Sequence, residues 1–113
     1  MKENRLNPRF KSIGRAYIPG ILEKETLLKN LSITGGCLQC SENTDKVIIG
    51  DICTIEITAK SFFKNIKFSI KAECKWIQKT GRFNEIGFKI TGSPTGISLK
   101  NYIDFITSHS TLT

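Results

Sequence analysis

The sequence is poor in the residues on which most enzymes depend. It has one histidine among 113 residues, His109, and this residue lies in a polar C-terminal segment. A nucleophilic triad built on histidine therefore has no general base here. The ten acidic residues are scattered among lysines, and no pair of carboxylates stands out as an acid–base couple. We predict that the chain is not an enzyme and has no catalytic residues.

Long apolar runs are also missing. No stretch approaches the roughly 18 apolar residues that a transmembrane helix needs. Residues 1–5 carry charge and no apolar segment follows them, so we expect no signal peptide. These absences predict no membrane span and a cytoplasmic location, where cysteines are kept as free thiols.

The four cysteines give little support for a metal site. Cys37 and Cys40 have the C-x2-C spacing of a zinc knuckle, but Cys53 and Cys74 form no second knuckle. If residues 37–40 form a strand, the first two thiols point to opposite faces and cannot bind one ion. We predict that all four are small buried hydrophobic residues, with no metal and no cofactor.

The chain is rich in positive charge and in strand-like alternation. Lysine and arginine number 17 against 10 acidic residues, a net charge of +7 that favours anionic partners. Apolar and polar residues alternate strictly from Ile66 to Trp76, and a similar alternation covers residues 51–59 and 86–90. Weaker strand candidates are residues 12–18, 25–31 and 37–40. The pattern predicts an all-β fold, a six-stranded antiparallel β-barrel.

The last segment changes to a helical period. Its apolar residues fall on one stripe of a helix: Leu99, Tyr102, Ile103 and Ile106. Ser98 or Thr95 could cap the helix, which we expect to cover the barrel. The predicted organisation is a basic N-terminal arm over residues 1–11, a barrel with a C-terminal α-helix over 12–107, and a disordered tail over 108–113.

Arginine is scarce and unevenly placed. There are four arginines against thirteen lysines, yet Arg5, Arg9 and Arg15 lie in the first fifteen residues. The planar fork of arginine binds phosphate or a guanine edge with two hydrogen bonds and stacks on bases. Residues 30–36, with the sequence NLSITGG, then offer short polar side chains and two glycines that permit close approach of a ligand. Each motif alone has a simpler interpretation, as a solvated basic tail and as a β-turn.

Taken together and in this order, the two motifs resemble those of the PilZ domain family, receptors for the bacterial second messenger cyclic di-GMP. The R-x-x-x-R motif is at residues 5–9, and N-x-S-x-x-G is at residues 30–35. The segment around Gly87 and the closing helix are also similar to that family. The resemblance implies a six-stranded antiparallel barrel with a C-terminal helix, in agreement with the strand pattern.

The resemblance also implies a set of binding residues. The matching positions are Arg5, Arg9, Asn30, Ser32, Gly35 and Gly36. The arginines would hold guanine edges and phosphates, while Asn30 and Ser32 would bond a guanine edge, a base or a phosphate. Further candidates are Asn4, Lys11, Arg15 and Trp76. Trp76 lies in the inward register, which predicts a core residue, and stacking at the barrel rim is the alternative.

The sequence thus predicts a non-enzymatic receptor that binds cyclic di-GMP, changes conformation and regulates an unidentified effector protein, in motility or envelope processes. We expect a monomer or weak dimer that binds no nucleic acid. Two alternatives stay open: a PilZ-fold interaction adaptor without nucleotide binding, and a small barrel that binds single-stranded nucleic acid. The second would need exposed aromatic residues among basic ones, whereas Phe68 and Trp76 are predicted to face inward.

Overall fold

Six strands and one helix follow one another in the computed structural model, which describes residues 13–60 and 65–110. They are β1 (Gly14–Tyr17), β2 (Thr26–Leu31), β3 (Gly35–Cys40), β4 (Ile52–Lys60), β5 (Asn65–Thr80), β6 (Phe83–Ile90) and α1 (Leu99–Ser110). The strands pair antiparallel and close into a barrel in the order β1-β2-β3-β6-β5-β4. The predicted six-stranded antiparallel barrel with a C-terminal helix is confirmed.

The boundaries of the predicted segments differ slightly from the structure. Helix α1 runs to Ser110, three residues beyond the boundary predicted at 107. The predicted arm over residues 1–11 lies outside the described residues, as do residues 111–113 of the predicted tail.

The barrel interior is filled by the inward-facing residues of each strand. Leu28 lies opposite Leu38, Leu38 lies opposite Ile86, and Ile55 lies opposite Ile70. All of these side chains are fully buried. Burial of each such aliphatic side chain contributes about 1.5–3 kcal/mol, which makes this cluster the main stabilising feature of the fold.

Strand β5 contains an irregularity that changes which residues face the core. Its register with β6 shifts between Cys74 and Trp76, so that Trp76 lies opposite Gly87 and Ile77 lies opposite Ile86. An extra residue in one strand reverses the inward and outward positions beyond it. The predicted core position of Trp76 is therefore wrong: its side chain points outward and is 43% exposed.

Helix α1 packs on the barrel through a stripe that shares Tyr102 and Ile106 with the predicted one but has Phe105 in place of Leu99 and Ile103. Tyr102, Phe105 and Ile106 are buried, whereas Leu99 and Ile103 are 62% and 40% exposed. The rings of Tyr102 and Phe105 meet the ring of the inward-facing Phe68 edge to face, at centroid distances of 5.4 Å and 6.0 Å. These aromatic contacts place Phe105 against the barrel and leave Leu99 and Ile103 partly exposed. Ser98 caps the helix as predicted, since its Oγ accepts the Asn101 N–H at 3.1 Å.

Candidate functional site

The turn between β2 and β3 is organised by Ser32. The Ser32 N–H donates to the Gly35 carbonyl at 2.7 Å. The Ser32 Oγ accepts the N–H groups of Thr34 and Gly35, each at 3.3 Å. A serine that accepts bonds from the next residues replaces part of the backbone hydrogen bonding of a tight turn. The hydroxyl is exposed and holds the turn closed, beside any role it has toward a ligand.

The two glycines of the motif are required by close packing of the backbone. A Cβ on Gly35 would lie 2.2 Å from the Phe88 carbonyl oxygen, and one on Gly36 would lie 2.4 Å from the Asn30 carbonyl oxygen. Neither residue is among the positive-φ glycines. Gly36 lies in the inward register, where its Cβ would also lie 2.9 Å from the Phe88 ring, so we assign it to core packing. Gly35 lies in the outward register beside Lys89.

Asn30 and Trp76 lie in one outward row that crosses four strands. Asn30 on β2 is opposite Cys37 on β3, Cys37 is opposite Gly87 on β6, and Gly87 is opposite Trp76 on β5. With neighbouring strands about 4.8 Å apart, the row is about 14 Å long. We call the outer surface of β2, β3, β6 and β5 around this row the Asn30–Trp76 face.

The indole of Trp76 lies against the backbone of β6. A Cβ built on Gly87 would be 2.1–2.6 Å from the Trp76 Cε2, Nε1 and Cζ2 atoms. The ring therefore occupies the space that a side chain at position 87 would need. Because the residue is nearly half exposed, it presents an aromatic surface to solvent beside the small residues in the middle of the row.

Two charged residues meet beside Cys37, in the row next to the middle of the face. Lys29, at the irregularity in β2, donates through Nζ to Oε2 of Glu85 on β6, so the pair bridges the intervening strand β3. Burial raises the pKa of the Cys37 thiol above its ordinary value of 9.0; Glu85 adds to this rise and Lys29 opposes it. Both charges therefore act on this thiol, which is outward in register yet buried.

The first described residue lies beside this face. The Ile13 N–H donates to the Leu28 carbonyl at 3.0 Å, and Leu28 is two residues from Asn30. Arg5 and Arg9 precede Ile13 in the sequence and lie outside the described residues.

The predicted site residues divide into three groups. Asn4, Arg5, Arg9 and Lys11 lie outside the described residues. Asn30, Ser32, Gly35 and Trp76 are brought together on the Asn30–Trp76 face or at its turn. Arg15 is exposed on β1 opposite Leu27, in the row next to Asn30, and Gly36 faces the core.

The opposite side of the barrel has different chemistry. A groove of about 550 Å³ lies over β1, β4 and β5. Its lining includes three carboxylates, from Glu23, Glu25 and Glu56, against one lysine, Lys67. A phosphate ligand would be repelled by the excess of negative charge, so the groove suits an anionic ligand less well than the Asn30–Trp76 face does.

Three of the four cysteines are buried as predicted, Cys37, Cys40 and Cys74, whereas Cys53 packs against the core but is only partly buried. Cys40 belongs to the core cluster, whereas Cys37 lies on the outer face, so the C-x2-C pair is split between the two sides of β3. Within residues 13–60 and 65–110, no three histidine, cysteine or acidic residues are grouped so that they could hold a metal ion. In the same part of the chain, no helix is long and apolar enough to cross a membrane.

Sequence reasoning missed the residues that form the middle of the face. Lys29 and Glu85 were indistinguishable from other exposed charges, because their contact depends on the register shift in β2. The outward position of Trp76 depends in the same way on the shift in β5. No family model, no curated protein and no solved structure matches the chain.

Proposed function

We propose that the chain is a PilZ-type receptor that binds cyclic di-GMP on the Asn30–Trp76 face. The observation that carries this proposal is the outward row itself: an exposed amide at one end, an exposed indole at the other, and small residues between them. Cyclic di-GMP offers two purines that stack on aromatic rings, and base edges that hydrogen-bond to amide groups. The face supplies one partner for each of these features.

The N-terminal arginines would add bidentate cations to the lysines of the face. A nucleotide with two phosphates needs cations, and Arg5 and Arg9 precede the point where the chain joins β2 near Asn30. Arginine makes paired hydrogen bonds to phosphate and to guanine. Binding would bring this segment onto the face, and the altered surface would be recognised by an effector protein, in line with the motility or envelope roles of the PilZ family.

Calorimetric titration of the full chain with cyclic di-GMP tests the proposal. Trp76→Ala should weaken binding about fivefold to hundredfold, through loss of one stacked base. Arg9→Ala should weaken it about tenfold to hundredfold, through loss of a charge-assisted contact. Phe83→Ala is the matched control, since Phe83 is also an exposed aromatic residue but lies four residues from Gly87, at the far end of β6. Absence of binding by the wild-type chain at micromolar ligand contradicts the proposal.

The exposed indole also favours a second candidate, a binder of single-stranded nucleic acid. The face carries Lys75 and Lys89 near Trp76, and basic residues around an exposed aromatic ring suit stacked bases along a strand. The same titration with a short oligonucleotide separates the two. Stronger binding to the oligonucleotide, with affinity that falls steeply as salt is added, would select the nucleic-acid candidate.

A further inference from the structure

The ion pair between Lys29 and Glu85 lies on the Asn30–Trp76 face, next to the row that joins Asn30 to Trp76. It crosses β3 beside Cys37, since Glu85 is opposite Gln39 and Cys37 is the member of the row between Asn30 and Gly87. Two opposite charges in contact have little net field at a distance. The central cation of a face proposed to bind phosphate is therefore neutralised by its own neighbour.

The two partners differ in their freedom to move. The Glu85 side chain is 13% exposed, whereas that of Lys29 is 42% exposed. Lysine carries its charge on a flexible four-carbon stem, so its ammonium group can turn toward solvent while the largely buried carboxylate stays in place. An incoming phosphate can thus exchange with Glu85 as the partner of Lys29.

We propose that Glu85 sets the affinity of the site by holding Lys29, which a ligand phosphate must take from it on binding. The inference rests on the proposed function and concerns its regulation by a residue outside the two sequence motifs. The exchange trades one charge-assisted hydrogen bond for another. It leaves Glu85 largely buried and unpaired beside an anion, which makes binding weaker than it would be without this carboxylate.

Two variants, measured with cyclic di-GMP by calorimetry on the full chain, test this role. Glu85→Gln should tighten binding about 1.5- to 5-fold, since the ligand no longer has to break an ion pair. Lys29→Met in the Glu85→Gln background should then weaken binding about tenfold or more, because the freed ammonium contacts phosphate.

Two further variants separate exchange from simple charge repulsion. Glu85→Asp keeps the charge but shortens the side chain, so binding should still tighten if Lys29 is released. Asp104→Asn changes the net charge as Glu85→Gln does, but removes the partner of Lys100 on α1, where the pair is 3.1 Å apart. Its affinity should equal that of the wild type. Circular dichroism establishes that each variant is folded.

The outcomes distinguish this inference from the proposed function. Binding by the wild type with no gain in Glu85→Gln or Glu85→Asp overturns the role of Glu85 and leaves nucleotide binding intact. An unchanged affinity on adding Lys29→Met to Glu85→Gln also overturns the role of Glu85 and leaves nucleotide binding intact. Absence of binding by the wild type and by Glu85→Gln overturns the proposed function, and the role of Glu85 with it.

Discussion

At the scale of single residues, the contact between Trp76 and Gly87 decides the shape of the candidate site. The chain has one tryptophan, and its indole occupies the space above Gly87 on the neighbouring strand. The position of the indole therefore requires glycine at position 87. The backbone angles do not require it, since Gly87 is not among the positive-φ glycines.

Gly87→Ala should displace the indole from β6. The new methyl group would lie within 2.6 Å of three indole atoms, closer than nonbonded carbon atoms approach. Overpacking of this kind costs about 1–3 kcal/mol, and rotation of the ring into solvent would relieve it. Because Trp76 is the sole tryptophan, we expect its fluorescence emission to shift to longer wavelength, and cyclic di-GMP binding to weaken with it.

Gly92→Ala is the matched control for this substitution. A Cβ on Gly92 would meet only the Lys71 Cβ, at 3.8 Å, and Gly92 is not among the positive-φ glycines. Its emission spectrum and affinity should equal those of the wild type. An unchanged spectrum in Gly87→Ala would contradict the packing of Trp76 described here.

At the scale of elements, alternation in the sequence was enough to predict the six strands but not their irregularities. Residues 51–59 and 66–76 alternate because one side of each strand is buried, and the barrel follows from six such segments. The register shifts in β2 and β5 leave no mark in the sequence, since a bulge is set by the pairing of two strands. The motif positions are predictable because residue type and spacing define them. The placement of Trp76, Lys29 and Glu85 is not predictable, because it depends on the register shifts.

The helix shows the same limit and gives a prediction of its own. The predicted stripe does not include Phe105, yet this residue is buried against Phe68, whereas Ile103 is 40% exposed. Phe105→Ala should lower the free energy of unfolding by about 3–5 kcal/mol, the cost of removing a core aromatic ring. Urea denaturation followed by circular dichroism measures it.

Ile103→Ala is the comparison on the same helix. Its side chain is partly in solvent, so the loss should stay below about 1 kcal/mol. A larger loss for Ile103→Ala than for Phe105→Ala would show that α1 packs through the stripe predicted from the sequence, and not through the one in the structure.

At the scale of the whole molecule, the barrel separates two kinds of surface. One side carries the Asn30–Trp76 face, next to Ile13, the first described residue. The other carries a groove with three carboxylates. The net charge of +7 is thus an average over unlike regions. The carboxylates of the groove disfavour anions on that side, a local feature that the total charge alone does not indicate.

The buried acids of the barrel predict a loss of stability at alkaline pH. Burial raises the pKa values of the four cysteine thiols and of the Tyr102 phenol above their ordinary values of 9.0 and 10.0. Below these pKa values all five groups are protonated in the folded and unfolded chains, so their ionisation does not affect the free energy of unfolding. As pH rises through them, the unfolded chain releases protons that the folded chain retains, so the free energy of unfolding falls.

Urea denaturation from about pH 8 to about pH 10.5 measures this fall, with Tyr102→Phe to isolate one contribution. The Tyr102 hydroxyl is buried and has no hydrogen-bond partner among the described residues. Its removal should leave stability at neutral pH unchanged or raise it by up to about 1–3 kcal/mol, the cost of an unsatisfied buried group. Above pH 10 the variant should lose stability less steeply than the wild type, by at most about 1.4 kcal/mol per pH unit. Parallel curves for the two proteins would mean that the phenol ionises equally easily in the folded and unfolded chains, and that packing of α1 on the barrel does not shield it.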